Sequence, residues 1–184
     1  MGFWWFFLVI VFLVIATLLF FQAKKLITKF KKNQINKFLN NITIDNINSL
    51  SGNEFEEFLY YLFLNMGFEV TLTPKSHDYG ADLILKIYNK TIVVQSKLYT
   101  SHSIGISSVQ EVYSSIKYYN ADLGIVVTNS KFSKNSINLA NSTNVLLWDK
   151  NMLIRLLNFK EYEKKIFRNE LLCNMCAIKN ENYS

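Results

Sequence analysis

Three polar side chains stand beside two apolar runs of the sequence: Asp82 before the first run, and Gln95 and Lys97 at the end of the second. A carboxylate holds a hard cation such as Mg²⁺ through oxygen, and the side-chain carbonyl of a glutamine can add a neutral oxygen ligand. Such a cation lowers the pKa of bound water and stabilises charge on a phosphate group. A nearby ammonium group can orient the attacking water or offset negative charge in the transition state. These residue types together predict metal-assisted cleavage of a phosphodiester bond.

Two predicted strands and a tight turn must bring these side chains together. Residues 83–87 and 91–94 are β-rich runs, and Asn89 with its neighbours supplies the turn between them. Side chains alternate along a strand with a period of two residues. If the turn has an even number of residues, Asp82 lies on the same face as Gln95 and Lys97, whereas a slip of one residue would separate them.

One carboxylate and one amide make a weak Mg²⁺ site, so a second acid is expected from another element. Residues 51–53 predict the start of a helix, with Ser51 or Asn53 as the N-cap. Glu56 lies on this helix and is the predicted second acid. The alternative is that acidic residues near the start of a helix only complement its dipole.

Three motifs of the chain resemble the Mrr-type branch of the PD-(D/E)xK nuclease superfamily, in which glutamine replaces the usual acid of the catalytic strand. They are G-N-E-F-E at 52–56, D-Y-G-A-D at 78–82 and Q-S-K at 95–97, within a resemblance that covers 49–157. The resemblance implies an α/β, restriction-endonuclease-like fold of three layers, with a mixed central sheet flanked by helices. It implies that Asp82, Gln95, Lys97 and Glu56 are catalytic. Asp82, Gln95 and Glu56 would hold Mg²⁺, or Mn²⁺ in its place.

Each motif also has a purely structural explanation. Asp82 and Lys97 could form a cross-strand ion pair, which contributes little in solvent. Asp78 could make only an Asx turn, and Tyr79 departs from the family, whose members often have glycine there. The order of the motifs on a helix–strand–strand frame, followed by matching later segments, favours the nuclease interpretation.

The N-terminal segment predicts a membrane anchor. Residues 3–21 carry no charge over 19 positions and are dominated by large apolar side chains, which is long enough to span a bilayer. Trp4 and Trp5 lie near one end, where aromatic rings favour the membrane interface. A cleaved signal peptide is the rival interpretation, but no basic residue precedes the run and no small-x-small site closes it. A buried core helix fits poorly at a chain terminus.

The positive charge of the chain follows the apolar run. Six lysines between residues 24 and 37 contribute +6 with no acid before Asp45, and the remaining 14 basic residues balance all 14 acidic ones. By the positive-inside rule, the protein is expected to be a single-pass protein of the cell membrane with its soluble domain in the cytoplasm. The lysines could also rest on anionic lipid or contact a nucleic-acid backbone. A neutral domain argues against binding DNA through bulk charge.

The later segments alternate between strands and helices, which predicts an α/β layer fold. A helix is expected at 106–119, strands at 123–128 and 145–148, and a short helix at 151–157. Gln110 and Glu111 could approach the metal, although a solvated helix face is their more ordinary role. In T-N-S-K-F-S-K (128–134), serines and lysines could contact phosphates or simply begin a helix. His77 and His102 are interpreted as solvated loop residues.

We therefore predict four regions: a transmembrane anchor (1–22), a basic juxtamembrane helix and linker (23–48), an Mrr-like nuclease domain (49–158), and a C-terminal helix and tail (159–184). Cys173 and Cys176 are interpreted as incidental, with half of a zinc ribbon as the alternative, because two thiolates do not complete a zinc site.

The resemblance implies an Mg²⁺-dependent endodeoxyribonuclease of the restriction type, and the apolar N-terminal run predicts that it is anchored in a membrane. The expected partners are DNA and a lipid bilayer, the latter through residues 3–21, with a homodimer as a further candidate. The alternative is a catalytically silent nuclease fold that serves as a membrane-tethered nucleic-acid-binding or interaction module. RNA and branched DNA stay open as substrates, because a fold does not fix a function.

Overall fold

The computed structural model describes residues 2–42, 44–74, 76, 78–99 and 103–181. The elements found in these residues are, in chain order, α1 (Gly2–Asn40), α2 (Ile44–Ile47), α3 (Gly52–Asn65), β1 (Glu69–Leu72), β2 (Leu83–Ile87), β3 (Lys90–Lys97), α4 (Ile106–Tyr118), β4 (Leu123–Thr128), α5 (Lys134–Asn141), β5 (Val145–Trp148), α6 (Lys150–Asn158) and α7 (Glu161–Glu181). The chain divides into two compact units, Met1–Phe38 and Leu39–Ser184.

The first unit consists of the helix α1. Its stretch Trp4–Asn40 is long and apolar enough to cross a membrane, with a mean hydropathy of 2.8 in an 18-residue window of which no part is buried. Near the end of the apolar run, the ammonium group of Lys24 lies 4.5 Å from the centre of the Phe20 ring. Since a signal sequence can also form an apolar helix of sufficient length near an N-terminus, the membrane anchor stays a prediction.

The second unit is built on a five-stranded sheet in the order β1-β2-β3-β4-β5. The pairs β1–β2 and β2–β3 are antiparallel, whereas β3–β4 and β4–β5 are parallel, so the sheet is mixed as expected. A two-residue turn, Tyr88–Asn89, joins β2 to β3 and sets Leu83 opposite Val94. The turn therefore has an even number of residues, and the expected register is confirmed.

Helices cover both faces of the sheet and make three layers. On one face, α4 and α5 pack through a buried cluster of small apolar residues from helices and strands: Ala81, Val93, Val109, Val112, Val126, Ala140 and Val145. On the other face, the ring of Trp148 lies between Phe63 of α3, at 5.7 Å, and Phe167 of α7, at 5.6 Å. A phenylalanine that is fully buried, as Phe63 is, stabilises a fold by about 1.5–3 kcal/mol.

The helix α3 begins at the same edge of the sheet at which β4 ends. Ser51 is its N-cap, and the Ser51 and Glu54 side chains form a reciprocal capping box. Just before this helix, the Asn48 side chain accepts a hydrogen bond of 2.9 Å from Asn129, the residue that follows β4. Gly67, with a φ of 87°, follows the end of α3. These contacts place the start of α3 near the carboxyl ends of the parallel strands.

Candidate active site

Asp82 and Gln95 lie side by side at the carboxyl end of β3. The Asp82 amide donates a hydrogen bond of 2.8 Å to the carbonyl of Val94, which continues the β2–β3 ladder by one residue. Across this ladder, Gln95 Nε2 donates to Asp82 Oδ2 at 2.7 Å. The two side chains that the sequence predicted as neighbours are therefore in direct contact.

One oxygen of the Asp82 carboxylate has several donors and the other has none among the described residues. Oδ2 accepts from the Ser96 amide at 2.6 Å and the Ser96 hydroxyl at 2.8 Å, besides Gln95. Burial raises the pKa of Asp82 above its ordinary value, although the Ser96 hydrogen bonds and the charge of Lys97 oppose this. The remaining oxygen, Oδ1, is available to a cation, which would also offset the desolvation of the carboxylate.

Gln95 is buried, with 5% of its surface exposed. Its amide nitrogen donates to Asp82 and also to the Ser96 carbonyl at 3.4 Å. Because the nitrogen is directed at Asp82, the amide oxygen Oε1 is left as an acceptor with no donor in the described part of the chain. The pair thus offers two oxygen atoms, one charged and one neutral.

Lys97 lies two residues beyond Gln95 on β3, opposite Thr128 of β4. Its ammonium group contacts Oε2 of Glu111, on α4, at 2.8 Å. The side chains of Lys97 and Glu111 are 27% and 42% exposed, so this ion pair is open to solvent. Lys97 therefore lies on the same strand face as Gln95, and its ammonium group is paired with an acidic residue of α4.

The loop that leads to Asp82 is fixed against α4. Gly80 has a φ of 85°, and a Cβ atom there would lie 2.5 Å from the carbonyl oxygen of Glu111. Asp78 makes the expected Asx turn, accepting from the Gly80 amide at 3.3 Å, and its carbonyl accepts from the Tyr119 hydroxyl at 3.1 Å. Only glycine allows this approach, because any side chain would strike the helix backbone.

Tyr79 adopts a backbone conformation that glycine ordinarily takes, and members of the resembled family often have glycine at this position. Its φ is 49°, in the left-handed region that favours glycine. The ring of Tyr79 stacks on that of Tyr118, with centres 3.8 Å apart and planes inclined by 18°. Stacking of this kind contributes about 0.5–1.5 kcal/mol, which opposes the cost of about 1–2 kcal/mol of a left-handed backbone.

Glu56 is not part of the hydrogen-bonded group that Asp82, Gln95 and Ser96 form. It is half-buried on the first turns of α3, the helix that covers the opposite face of the sheet. Because α3 begins near the carboxyl ends of the strands, Glu56 is placed at the same edge as the site. Its assignment as a metal ligand stays a prediction.

The segment after β4 adds a polar cleft at this edge. Ser133 caps α5 by accepting from the Ser136 amide at 3.1 Å, so T-N-S-K-F-S-K does begin a helix, while its contact with phosphates stays a prediction. Lys131 is exposed beside a cleft of about 390 Å³ that is lined by polar and charged residues: Ser103, Asn129, Ser130, Lys131, Asp149, Lys150 and Asn151. The cleft could receive the backbone of a polyanion.

The predicted metal site has an incomplete set of acids. In the described ranges, no group of three or more His, Cys, Asp or Glu side chains could hold a metal ion. Cys173 and Cys176 are exposed free thiols on α7. His77 and His102 lie outside the described residues. The donors that fit Mg²⁺ are therefore Asp82 Oδ1 and Gln95 Oε1, both hard oxygen atoms.

The sequence predictions missed Ser96 and, although they named Glu111 near the site, missed its contact with Lys97. Ser96 holds Asp82, although strand alternation assigns its side chain to the face opposite Gln95, so no pattern pointed to it. Glu111 contacts Lys97. The position of Glu111 on the first turns of a predicted helix was a signal, but a solvated helix face was the more ordinary expectation.

Comparisons with known proteins identify the family and the fold of this domain. A family model for the Mrr catalytic domain, described as a restriction endonuclease, matches residues 47–157, more than half of the 184-residue chain. A comparison with curated protein sequences finds no significant match. Among solved structures, the DNA modification-dependent restriction endonuclease AspBHI is similar, with a TM-score of 0.51 and 16% identity over 77% of this chain and 40% of that one.

Two further structures match parts of the chain. They are the MspJI restriction endonuclease in complex with a 27-mer oligonucleotide (TM-score 0.42, 16% identity, 68% of this chain and 30% of that one) and AF1548, a protein of unknown function (TM-score 0.46, 14% identity, 51% and 55%). The chain thus spans between 30% and 55% of the lengths of these proteins. The family match over 47–157 and the AspBHI-like fold agree, and the chain belongs to the Mrr catalytic-domain family of restriction endonucleases.

Proposed function

We propose that this protein is a membrane-anchored, Mg²⁺-dependent endonuclease that hydrolyses phosphodiester bonds in DNA. Membership of a restriction endonuclease family supports nuclease chemistry. The observation that carries the proposal is the pairing of Asp82 with Gln95. It leaves one carboxylate oxygen and one amide oxygen without a donor among the described residues, on the strand face that also carries Lys97.

Asp82 and Gln95 would hold the cation through Oδ1 and Oε1, with Mn²⁺ able to replace Mg²⁺. When bound, the cation would supply Lewis-acid stabilisation of the charge on the phosphate. Gln95 and Ser96 fix the Asp82 carboxylate through its other oxygen. Lys97 would orient the attacking water and offset the negative charge that develops on the phosphate oxygens.

Glu56 is the proposed second acid of the metal site. It would reach the cation around the carboxyl edge of the sheet, because α3 packs on the opposite face but begins at this edge. A Glu56→Gln variant should then need a higher Mg²⁺ concentration for half-maximal cleavage. An unchanged Mg²⁺ requirement would remove Glu56 from the ligand set.

The polar cleft beside Lys131 and Lys150 is proposed as a contact with the DNA backbone. It lies after β4, whose last residue, Thr128, pairs with Lys97. If each lysine neutralises one phosphate, replacing both by glutamine should reduce the slope of log affinity against log salt by about 0.9 per lysine. Exposed Lys86, on β2, offers the matched control, whose replacement should leave the slope unchanged.

The helix α1 is proposed as a single-pass anchor that leaves the nuclease domain in the cytoplasm. Its long apolar stretch and the lysines that follow support this orientation. Membrane fractionation with a carbonate wash would test the anchor, and protease protection in vesicles would test the orientation. A homodimer stays a prediction, for which light scattering on the full chain in detergent is the measurement.

The nuclease proposal is tested with the full chain in detergent and a supercoiled plasmid as substrate. Nicking or linearisation is expected with Mg²⁺ or Mn²⁺, none with EDTA, and none from the double variant Asp82→Asn/Lys97→Ala. Modified DNA, branched DNA and RNA are tested in parallel because the substrate class is open. If the wild type binds nucleic acid but cleaves none of these, the silent binding module becomes the better account.

A further inference from the structure

Lys97 has a defined anionic partner that the catalytic motif does not contain. Among the described residues, its ammonium group forms an ion pair with one carboxylate, through Oε2 of Glu111 at 2.8 Å. Lys97 also lowers the cost of ionising Asp82 through its charge. The lysine is therefore placed between the acid that would hold a cation and an acid on another element.

The position of Glu111 is fixed independently of the ion pair. Its backbone carbonyl lies against Gly80, two residues before Asp82, at a separation that no side chain would allow. On either side of Glu111 in the sequence, the buried residues Val109 and Val112 pack in the cluster that contains Val93 of β3. The Glu111 carboxylate therefore extends from a part of α4 that packs against both the loop before Asp82 and the strand β3.

An ion pair with this exposure contributes little to folding. Exposed pairs typically stabilise a protein by about 0–1 kcal/mol, and the two side chains are 27% and 42% exposed. A lysine side chain is flexible and has about 2 kcal/mol of rotamer entropy to lose when it is fixed. A partner that fixes the ammonium group before substrate binds would remove part of this cost from the chemical step.

We propose that Glu111 is a positioning residue that holds the Lys97 ammonium group beside Asp82 and Gln95. The proposal rests on the nuclease function proposed above. It assigns to Glu111 no contact with the cation. Replacing the carboxylate by an amide should keep the fold and the shape of the side chain while releasing the lysine.

The experiment uses the full chain in detergent with plasmid DNA and Mg²⁺. Glu111→Gln should lower kcat by about 10- to 100-fold, the range that follows from misplacing a catalytic group by about 1 Å. The KM for DNA and the Mg²⁺ concentration at half-maximal rate should not change. In single-turnover assays of Lys97→Ala, adding Glu111→Gln should cause no further loss. The matched control is Glu57→Gln, an exposed acid on α3, which should leave kcat unchanged.

Three results would overturn the proposal. An unchanged kcat in Glu111→Gln would remove the role, and a raised Mg²⁺ requirement would make Glu111 a ligand instead. An equal loss with and without Lys97 would make its role merely structural.

A second measurement needs no activity. Acetylation of amines followed by mass spectrometry should show Lys97 modified severalfold faster in Glu111→Gln than in the wild type, with Lys90 as an internal reference. Equal modification of Lys97 in the two proteins would contradict the proposal. If the wild type cleaves nothing but Lys97 is released as expected, the nuclease function fails while the positioning contact stands.

Discussion

The two ends of the strand β3 each carry a lysine paired with an acid, but the two pairs are built differently. At the amino end, Lys90 contacts Asp122 at 2.7 Å, with side chains only 13% and 18% exposed. At the carboxyl end, Lys97 contacts Glu111 at 2.8 Å, with clearly more exposed side chains. The distances are nearly equal, so the surroundings must distinguish the pairs.

The Lys90 pair is tied into the backbone. The Asp122 carboxylate also accepts from the Thr91 amide at 3.0 Å, and the Asp122 amide donates to the Thr91 carbonyl at 2.8 Å. The Lys97 pair instead lies beside a carboxylate and an amide that each keep one oxygen without a donor in the described residues. We infer that the first pair locks β3 to β4, whereas the second leaves capacity for a ligand.

The largest expected difference between the two ends is in DNA cleavage. Lys97→Ala should reduce the cleavage rate by at least about 10²–10³-fold, because it removes charge stabilisation at the phosphate. Lys90→Ala should leave the rate of the folded protein within a factor of about three, since it lies at the other end of the strand. Rates are measured on plasmid DNA, with circular dichroism as the check on folding. Equal losses in both variants would show that the ends are not functionally distinct.

The next expected effect concerns Asp82, where a substitution should lower activity and raise stability. Burial raises the pKa of Asp82, so its charge destabilises the fold at neutral pH relative to the protonated form. Asp82→Asn should abolish cleavage, because the charged metal ligand is lost. It should also raise the melting temperature, because the buried charge is removed. The gain should be present above the raised pKa and should vanish as the pH falls and Asp82 becomes protonated.

Scanning calorimetry of the two proteins between neutral and acidic pH is the measurement for Asp82→Asn. A lower melting temperature at neutral pH would mean that the hydrogen bonds from Gln95 and Ser96 outweigh the cost of burial. In that case Asp82 would resemble the structural acid Asp122.

The sequence predicted the frame of the site because its signals are local. The β-rich runs, the short turn and the period of two gave the β2–β3 register, and hence the contact between Asp82 and Gln95. Ser96 and Glu111 depend on how a loop and a helix approach the strands in space, which periodicity does not encode. Glu56 shows the same limit, since its helix was predicted but the face that it covers was not.

A smaller effect, on the free energy of unfolding, should distinguish Asp122 from Glu111, the acidic partners of the two lysines. Asp122→Ala leaves the Lys90 ammonium group and the Thr91 amide without this acceptor, and should lower the free energy of unfolding by about 1–3 kcal/mol. Glu111→Ala should cost less than about 1 kcal/mol, because its pair is exposed. Chemical denaturation measures both variants. A larger loss for Glu111→Ala would make its pair the structural one.

The pair at the amino end also predicts a dependence on alkaline pH. The hydrogen bond to Asp122 raises the pKa of Lys90 above its ordinary value of 10.5. The stabilisation is therefore complete below pH 10.5 and is lost as the pH rises through the raised pKa. The stability difference between the wild type and Asp122→Ala should narrow over that alkaline range.

The smallest expected effect concerns a tyrosine at each end of the β2–β3 hairpin. Tyr79, before Asp82, and Tyr88, in the turn, have φ values of 49° and 52°, which cost a non-glycine residue about 1–2 kcal/mol. Tyr88 is 85% exposed, so Tyr88→Gly should relieve strain with little loss of packing. Glycine loses about 0.5–1 kcal/mol of this advantage through the entropy of the unfolded chain. The net result should be a slight increase in the free energy of unfolding.

Tyr79→Gly should give no such increase, because it also removes the stacking on Tyr118, worth about 0.5–1.5 kcal/mol. The same denaturation experiment compares the two variants. Tyr118→Ala is the control that keeps Tyr79 but removes its stacking partner, together with an edge contact between Tyr118 and Tyr119. If Tyr79→Gly stabilises the protein as much as Tyr88→Gly, the stack does not support the approach loop. If Tyr118→Ala instead lowers stability more in the wild type than in Tyr79→Gly, the contact between the Tyr79 and Tyr118 rings compensates for the strain. In that case the stacked rings of Tyr79 and Tyr118 stabilise a left-handed backbone conformation before Asp82 that glycine would adopt without strain.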